Sequence, residues 1–256
     1  MSRPSSIVTL AAGVALLFAL GNVARTSEIR VLGVPALKEA LDVIGPRFES
    51  DTGHRIDVSY AGSSDLIQRF DAGEAFDVAL VWPAMIDRLL EQGRIAAGTR
   101  AEVAQVAIAV AVKKGAPKPD ISTVEAFKRT LLNATSVSMS LQGASGIYFK
   151  GLLERLGIAA EMQPKLKPVP GGPFVVGPVA RGEVELAVIT TPYIVVEPGA
   201  ELVGPLPGAL QQYIVYTAGM AAGAPQPDAA RALIAYLRSP VAAAVLKSKG
   251  LDPAAP

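Results

Sequence analysis

Residues 55–82 read RIDVSYAGSSDLIQRFDAGEAFDVALVW, and the fold is decided by how this stretch changes period. "RIDVSYA" is a β-branched run with strand alternation. "SSDLIQRFDAG" brings Leu66, Ile67 and Phe70 to one helical face, and Gly73 ends it. "FDVALVW" is again a strand. The same alternation holds on both sides. "EIRVLGV" precedes "ALKEALDVIGPRFES", where Leu37, Leu41, Ile44 and Phe48 fall at helical spacing and Pro46 predicts a kink or a split. "PAMIDRLLEQG" follows, with Pro83 suited to the first turn of a helix. Strand, helix, strand, helix on this scale predicts an α/β fold, a parallel sheet with helices on both faces.

A chain of 256 residues can bury one large core or two small ones, and half of it is apolar. Lys+Arg number 24 and Asp+Glu 23, a balance that argues against a binder of phosphate backbones, so no nucleic-acid partner is expected. There is no cysteine and one histidine, His54. Disulfides, thiolate metal sites and two-histidine sites are excluded, and no metal site or cofactor is expected. His54 sits in "SDTGHRI", a polar turn, and reads as a solvated turn residue and not as a catalytic one. At the start, "MSRPSS" gives a short positive lead, residues 7–20 are an apolar run, and Gly21 or Ala24 could precede a cut. That order is a secretory signal over residues 1–24. An uncleaved anchor is the alternative, although a spanning helix usually needs about 20 apolar residues. Nothing later in the chain is long and apolar enough to span a membrane.

Two long strand-like runs, near 103–113 and 210–220, bracket a second α/β unit. That unit contains "STVEAFKRTLLNA", where Ser122 and Glu125 form a capping-box pattern. It continues with "SVSMS", "SGIYFKGLLERLG", "KLKPV", "PFVVGPVARGE" and "VELAVIT". The end, "PDAARALIAYLRSPVAAAVLKSKG", is helical with Pro240 between two helices. The simplest arrangement of cores has residues 25–103 and 214–256 form one lobe and 104–213 the other. Two such open sheets would face each other across a cleft at the carboxyl ends of their strands, where α/β sheets bind ligands.

The chemistry sits in the turns. Ser63 and Ser64 occupy a strand-to-helix turn, whose unpaired N–H groups and partial positive charge can hold an anion without a basic side chain. Taken singly, Ser63 reads as a helix cap. Gly143, Ala144, Ser145 and Gly146 occupy a second such turn, Gly171 and Gly172 a third, and Thr190 and Thr191 end a strand. Together these small, neutral, donor-rich turns suit an ionised ligand held by dipoles. Trp82, at a strand end, reads as a core residue more than as a cleft floor.

The chain resembles the periplasmic molybdate-binding proteins, the substrate-binding components of ABC importers, over about residues 29–251. "GSSDLIQRFDAGEAFDVAL", "SGIYFKGLLERLGI", "ARGEVELAVI" and "ALIAYLRSPVAAAVLKSKG" carry the resemblance. It implies two Rossmann-like lobes joined by a hinge with the ligand between them, the type II periplasmic binding fold. It also implies a small oxyanion ligand, molybdate or tungstate, a periplasmic location, a monomer, and an inner-membrane ABC permease as partner. The family's oxyanion site transfers by position. Its first-turn serine falls on Ala36 and its second serine on Ser63, beside Ser64. Main-chain donors fall on Ser145 and near Gly172, and the tyrosine that completes the site falls on Thr190. Two side-chain donors are therefore altered. At roughly 1.5–3 kcal/mol for each hydrogen bond to a charged group, their loss could cost about 3–6 kcal/mol, or roughly 10²–10⁴ in affinity. The freed volume admits a larger anion, a small di- or tricarboxylate, with Arg69, Lys38 or Gln142 as possible partners for its extra charge. The alternative function is therefore a binder or isomerase of a polycarboxylate such as aconitate, since an exported aconitate isomerase resembles this family. Asp65, Glu183 and Tyr193 are the base candidates. An amino-acid binder is disfavoured because these turns lack the arginine and aspartate that a zwitterion needs.

Overall fold

The computed structural model describes residues 27–254; the expected signal over 1–24 lies outside them. The elements run β1 (Glu28–Gly33), α1 (Lys38–Thr52), β2 (Arg55–Tyr60), α2 (Ser63–Asp71), β3 (Val78–Val81), α3 (Pro83–Glu91), β4 (Ala101–Lys113), α4 (Val124–Asn133), β5 (Val137–Ser140) and α5 (Ala144–Arg155). They continue through α6 (Ala159–Met162), β6 (Leu166–Val169), α7 (Pro173–Arg181), β7 (Leu186–Thr190), α8 (Thr191–Val195), β8 (Ala200–Pro205), β9 (Tyr213–Met220), α9 (Pro227–Leu237), α10 (Pro240–Ser248) and β10 (Asp252–Pro253).

The result is a two-lobed α/β protein, with two departures from the expected sheets. First, the sheets are mixed. β1 pairs parallel with β2 and β3, and β5 pairs parallel with β6 and β7, but β9 runs antiparallel to β3 and β4 antiparallel to β7 and β9. The long strands return the chain between lobes instead of following a helical crossover, so they run against their neighbours. Second, the sheets are joined, in the order β2-β1-β3-β9-β4-β7-β5-β6. β4 pairs with β9 as far as Ala107 and with β7 from Ile108 onward.

The cores follow that division. One buried cluster is drawn from residues 29–106 and 216–251, with Phe48, Phe70, Leu66 and Ile86 fully enclosed. A second, around Phe127 and Phe149, and a third, around Val175, Val176 and Ile189, lie on opposite sides of the other sheet. Tyr193 packs against the first and third clusters, and Ile214 against the first and second, so both bridge the lobes. No single helix among the described residues is long and apolar enough to cross a membrane.

Local expectations were met unevenly. Pro46 does not split α1, which is one helix from Lys38 to Thr52. The capping box at Ser122 does not form: α4 is capped by Thr123, whose hydroxyl accepts from the Ala126 N–H at 3.1 Å, while Ser122 donates to Asp120 at 2.7 Å. Either hydroxyl suited a cap, and the Asp120 carboxylate captures Ser122 first. β9 starts at Tyr213, later than the run near 210 implied, because residues 208–210 wind into a 3-10 turn. α6, α8, β8 and β10 had no clear signal; they are short, and β8 ends in Gly204 and Pro205.

Candidate functional site

Three long helices begin at one crevice. α2 starts at Ser63 after the N-cap Gly62, whose carbonyl accepts the first helical bond from the Leu66 N–H at 2.9 Å. Ser63 is therefore not the cap of its helix, and its hydroxyl makes no capping bond. Ser63 and Ser64 are both exposed, and their N–H groups precede the first carbonyl that could accept from them. α5 starts after Gly143, whose carbonyl takes the Gly146 and Ile147 N–H groups at 3.0 Å each, which leaves the Ala144 and Ser145 N–H groups ahead of the ladder. α7 starts after Gly172, at φ 56° and ψ −133°, in the region where glycine is favoured. Pro173 follows it and has no N–H to give.

Ser140, at the end of β5, touches both the second and the third turns. Its hydroxyl accepts from the Gly143 N–H at 2.8 Å and donates to the Pro170 carbonyl at 3.5 Å. The turns close over it so tightly that a Cβ on Gly146 would lie 1.8 Å from the Ser140 carbonyl oxygen, and one on Gly171 would lie 2.9 Å from its hydroxyl. Sequence reading missed Ser140; its signal was a serine at a strand end, three residues before a glycine.

The crevice has a volume of about 520 Å³. All six positions singled out in the sequence line it: Ala36, Ser63, Ser64, Ser145, Gly172 and Thr190. Ala36, Ser145 and Thr190 are buried in its wall. Of the proposed charge partners only Gln142 lines it. Arg69 is turned to Glu74, at 2.7 Å, and to Ser59, at 3.0 Å, and Lys38 is paired with Asp42. Among the base candidates, Asp65 and Tyr193 line the crevice, whereas Glu183 is exposed and paired with Arg181 at 2.7 Å. Trp82 also lines it while packing on the first core, so its cleft role and its core role coexist. His54 is not in the crevice; it stacks at a tilt beside Phe48, with ring centres 6.3 Å apart.

A tyrosine does reach the crevice, three residues beyond Thr190. The Tyr193 ring lies 3.3 Å from where a Gly172 Cβ would sit. Burial holds its hydroxyl above the ordinary tyrosine range, and burial raises Tyr216, also in the wall, further. Both are therefore neutral donors at physiological pH. Tyr193 sits on α8, which is tied to the other lobe by a Thr191 hydroxyl donating to the Gly250 carbonyl at 2.7 Å. Sequence reading named Tyr193 only as a base candidate and put the site's tyrosine position on Thr190; the five-residue helix α8 carries the ring from the strand end into the crevice.

The electrostatics are one-sided. The described lining contains no lysine, arginine or histidine, and its single carboxylate is Asp65. Its donor-bearing groups are hydroxyls, the Gln142 amide, the Trp82 indole and main-chain N–H groups, set among apolar side chains such as Phe174, Ile189 and Ile214. Such a wall can hold an anion through fixed dipoles.

A two-lobed scaffold with a donor-lined crevice between the lobes is the architecture of a solute-binding protein. The chain belongs to the family described as bacterial extracellular solute-binding protein, which it matches over residues 29–252. It is 34% identical over 253 residues to an aconitate isomerase of Pseudomonas sp., covering 96% of each chain. It is 26% identical to the molybdate-binding protein ModA of Escherichia coli K12, over 95% of this chain and 96% of that one. Its fold matches the periplasmic molybdate-binding protein of Azotobacter vinelandii with a TM-score of 0.71 at 18% identity, covering 89% of this chain and 99% of that one.

Proposed function

We propose that the protein is an exported, periplasmic solute-binding protein whose ligand is a small polycarboxylic acid of aconitate size. The lobes would divide at 25–103 with 214–256 and 104–213, and the ligand would bind as a monomeric protein closes on it. One observation carries the reading: the chain is 34% identical over 96% of its length to an aconitate isomerase, and the crevice lining carries neutral donors on several elements, with Gln142 the one proposed charge partner that reaches it. Ala36, at the position where the resemblance places a serine, supplies no hydroxyl to help grip a tetrahedral oxyanion. A flat acid with several carboxylates can engage turns on both lobes at once. The 34% identity to an aconitate isomerase supports the same ligand class. Contacts to both lobes exist only when the cleft is shut, so the ligand favours closure, and handover to an ABC permease would follow.

Two readings compete on specific grounds. The serine turn at Ser63 and the similarity to ModA favour molybdate or tungstate. Asp65, a carboxylate in the wall, together with the neutral Tyr193, favours turnover of the acid by proton transfer. A thermal-shift panel of cis- and trans-aconitate, citrate, molybdate, tungstate, sulfate and phosphate tests the ligand class, because a binder gains stability from its own ligand by mass action. Stabilisation by aconitate or citrate with none by the metal oxyanions is the expected result, and the reverse pattern overturns the proposal. NMR of each aconitate isomer incubated with protein then separates capture from interconversion.

A further inference from the structure

Asp65 is out of place in an anion site. It stands in the third position of α2, exposed, in the wall of a crevice whose other polar side chains are neutral and whose remaining lining is largely apolar. A carboxylate in the first turn of a helix is stabilised by the helix dipole, which accounts for its tolerance there. Among the described residues no hydrogen bond or ion pair engages its carboxylate; its charged neighbour is Arg69, one turn on, whose guanidinium is held by Glu74. The other titratable groups facing the crevice are Tyr193 and Tyr216, both neutral donors. A fully ionised ligand would meet an acceptor of its own sign at this point, whereas a ligand that keeps one acid proton would meet an acceptor for it.

We infer that the crevice selects a polycarboxylic acid that retains one proton, and that Asp65 is the specificity-determining residue that accepts this proton in a hydrogen bond. This rests on the polycarboxylate reading above. Selection works by leaving the wrong ligand with an unpaired, like-charged contact, the device by which a polar site rejects a near-isostere. It separates a partly protonated organic acid from molybdate or sulfate, which carry no proton near neutral pH.

The test is calorimetric titration of the full chain with cis- and trans-aconitate across pH, in two buffers of different ionisation heat. The expected result is uptake of one proton per ligand bound, with Kd rising about tenfold per pH unit above the last carboxyl pKa of the ligand. Asp65→Asn, nearly the same shape, flattens that slope and improves binding of the fully ionised acid. Ser63→Ala, by contrast, weakens binding at every pH and leaves the slope intact. Aconitate binding with no proton uptake, or an unchanged slope in Asp65→Asn, overturns the inference while leaving the ligand class standing. No binding of aconitate by the unsubstituted protein at any pH removes the ligand class, and this inference with it.

Discussion

Replacing Gly146 with alanine tests whether the close seating of α5 on β5 is what builds the site. An added Cβ would lie 1.8 Å from the Ser140 carbonyl oxygen and 2.7 Å from its carbon. Carbon and oxygen settle at about 3.3–3.6 Å, so the start of α5 must retreat by roughly 1.5 Å. Both partners are backbone, and neither can swing aside as a side chain would. Overpacking a tight interior costs about 1–3 kcal/mol and occasionally more; a backbone clash of this depth belongs at the upper end, about 3 kcal/mol. For a chain of this size that corresponds to a fall in Tm of about 6–12 °C. The same retreat withdraws the Ala144 and Ser145 N–H groups from the crevice, so ligand affinity falls by at least about tenfold. Gly223→Ala is the matched control: its Cβ meets nothing within 4 Å, its φ lies outside the left-handed region, and it does not line the crevice. Its lost freedom in the unfolded chain contributes about 0.4–1 kcal/mol of stability. Thermal unfolding and calorimetry of both variants decide the matter. A Gly146→Ala protein as stable and as tight-binding as Gly223→Ala would refute the packing argument.

Ser63→Ala removes a hydroxyl that caps nothing, so stability should hold within about 0.5 kcal/mol, while loss of a bond to a charged ligand costs about 1.5–3 kcal/mol, read as a rise in Kd of about 10–150-fold by calorimetry. Thr123→Ala should cost about 1 kcal/mol in urea unfolding, and Ser122→Ala less, because only Thr123 caps α4. Burial raises the Tyr216 hydroxyl, so the folded state resists its ionisation. That contribution is complete below the unfolded tyrosine pKa of about 10 and is lost as pH climbs above it. Urea midpoints at neutral and strongly alkaline pH should therefore diverge for the unsubstituted protein and diverge less for Tyr216→Phe.

What the sequence made legible was set by length and period. The βαβ rhythm of residues 55–82 is enforced by burial of Leu66 and Phe70 against strands on either side, and such patterns survive in one dimension. The turns between them were legible too: all six positions singled out for ligand contact reach one crevice, because a strand-to-helix turn on an open sheet has one end to face. Features depending on contacts across lobes were not. The antiparallel run of β4 and β9 leaves no local mark. Tyr193 reaches the crevice through α8, whose five residues give no period to read. The Ser140 contacts depend on two turns that meet only after folding.

The same distinction bears on how a solute-binding scaffold changes ligand. Ala36 and Thr190 sit where the molybdate-binding resemblance places a serine and a tyrosine, yet the crevice is not short of hydroxyls, since Tyr193 and Tyr216 face it from other elements. The two altered positions lower the number of donors around a single point and leave the total over the crevice high. A compact ion gripped at one point loses by that exchange. An extended acid, whose carboxylates lie several ångströms apart, loses little, because its charges meet different turns. On the proposed polycarboxylate reading, spreading the donors along the crevice and leaving Asp65 unpaired among them both favour length and a retained proton over compactness and full charge. On that reading a change of ligand class needs no new charged residue, only a redistribution of neutral donors around helix starts that the fold already supplies.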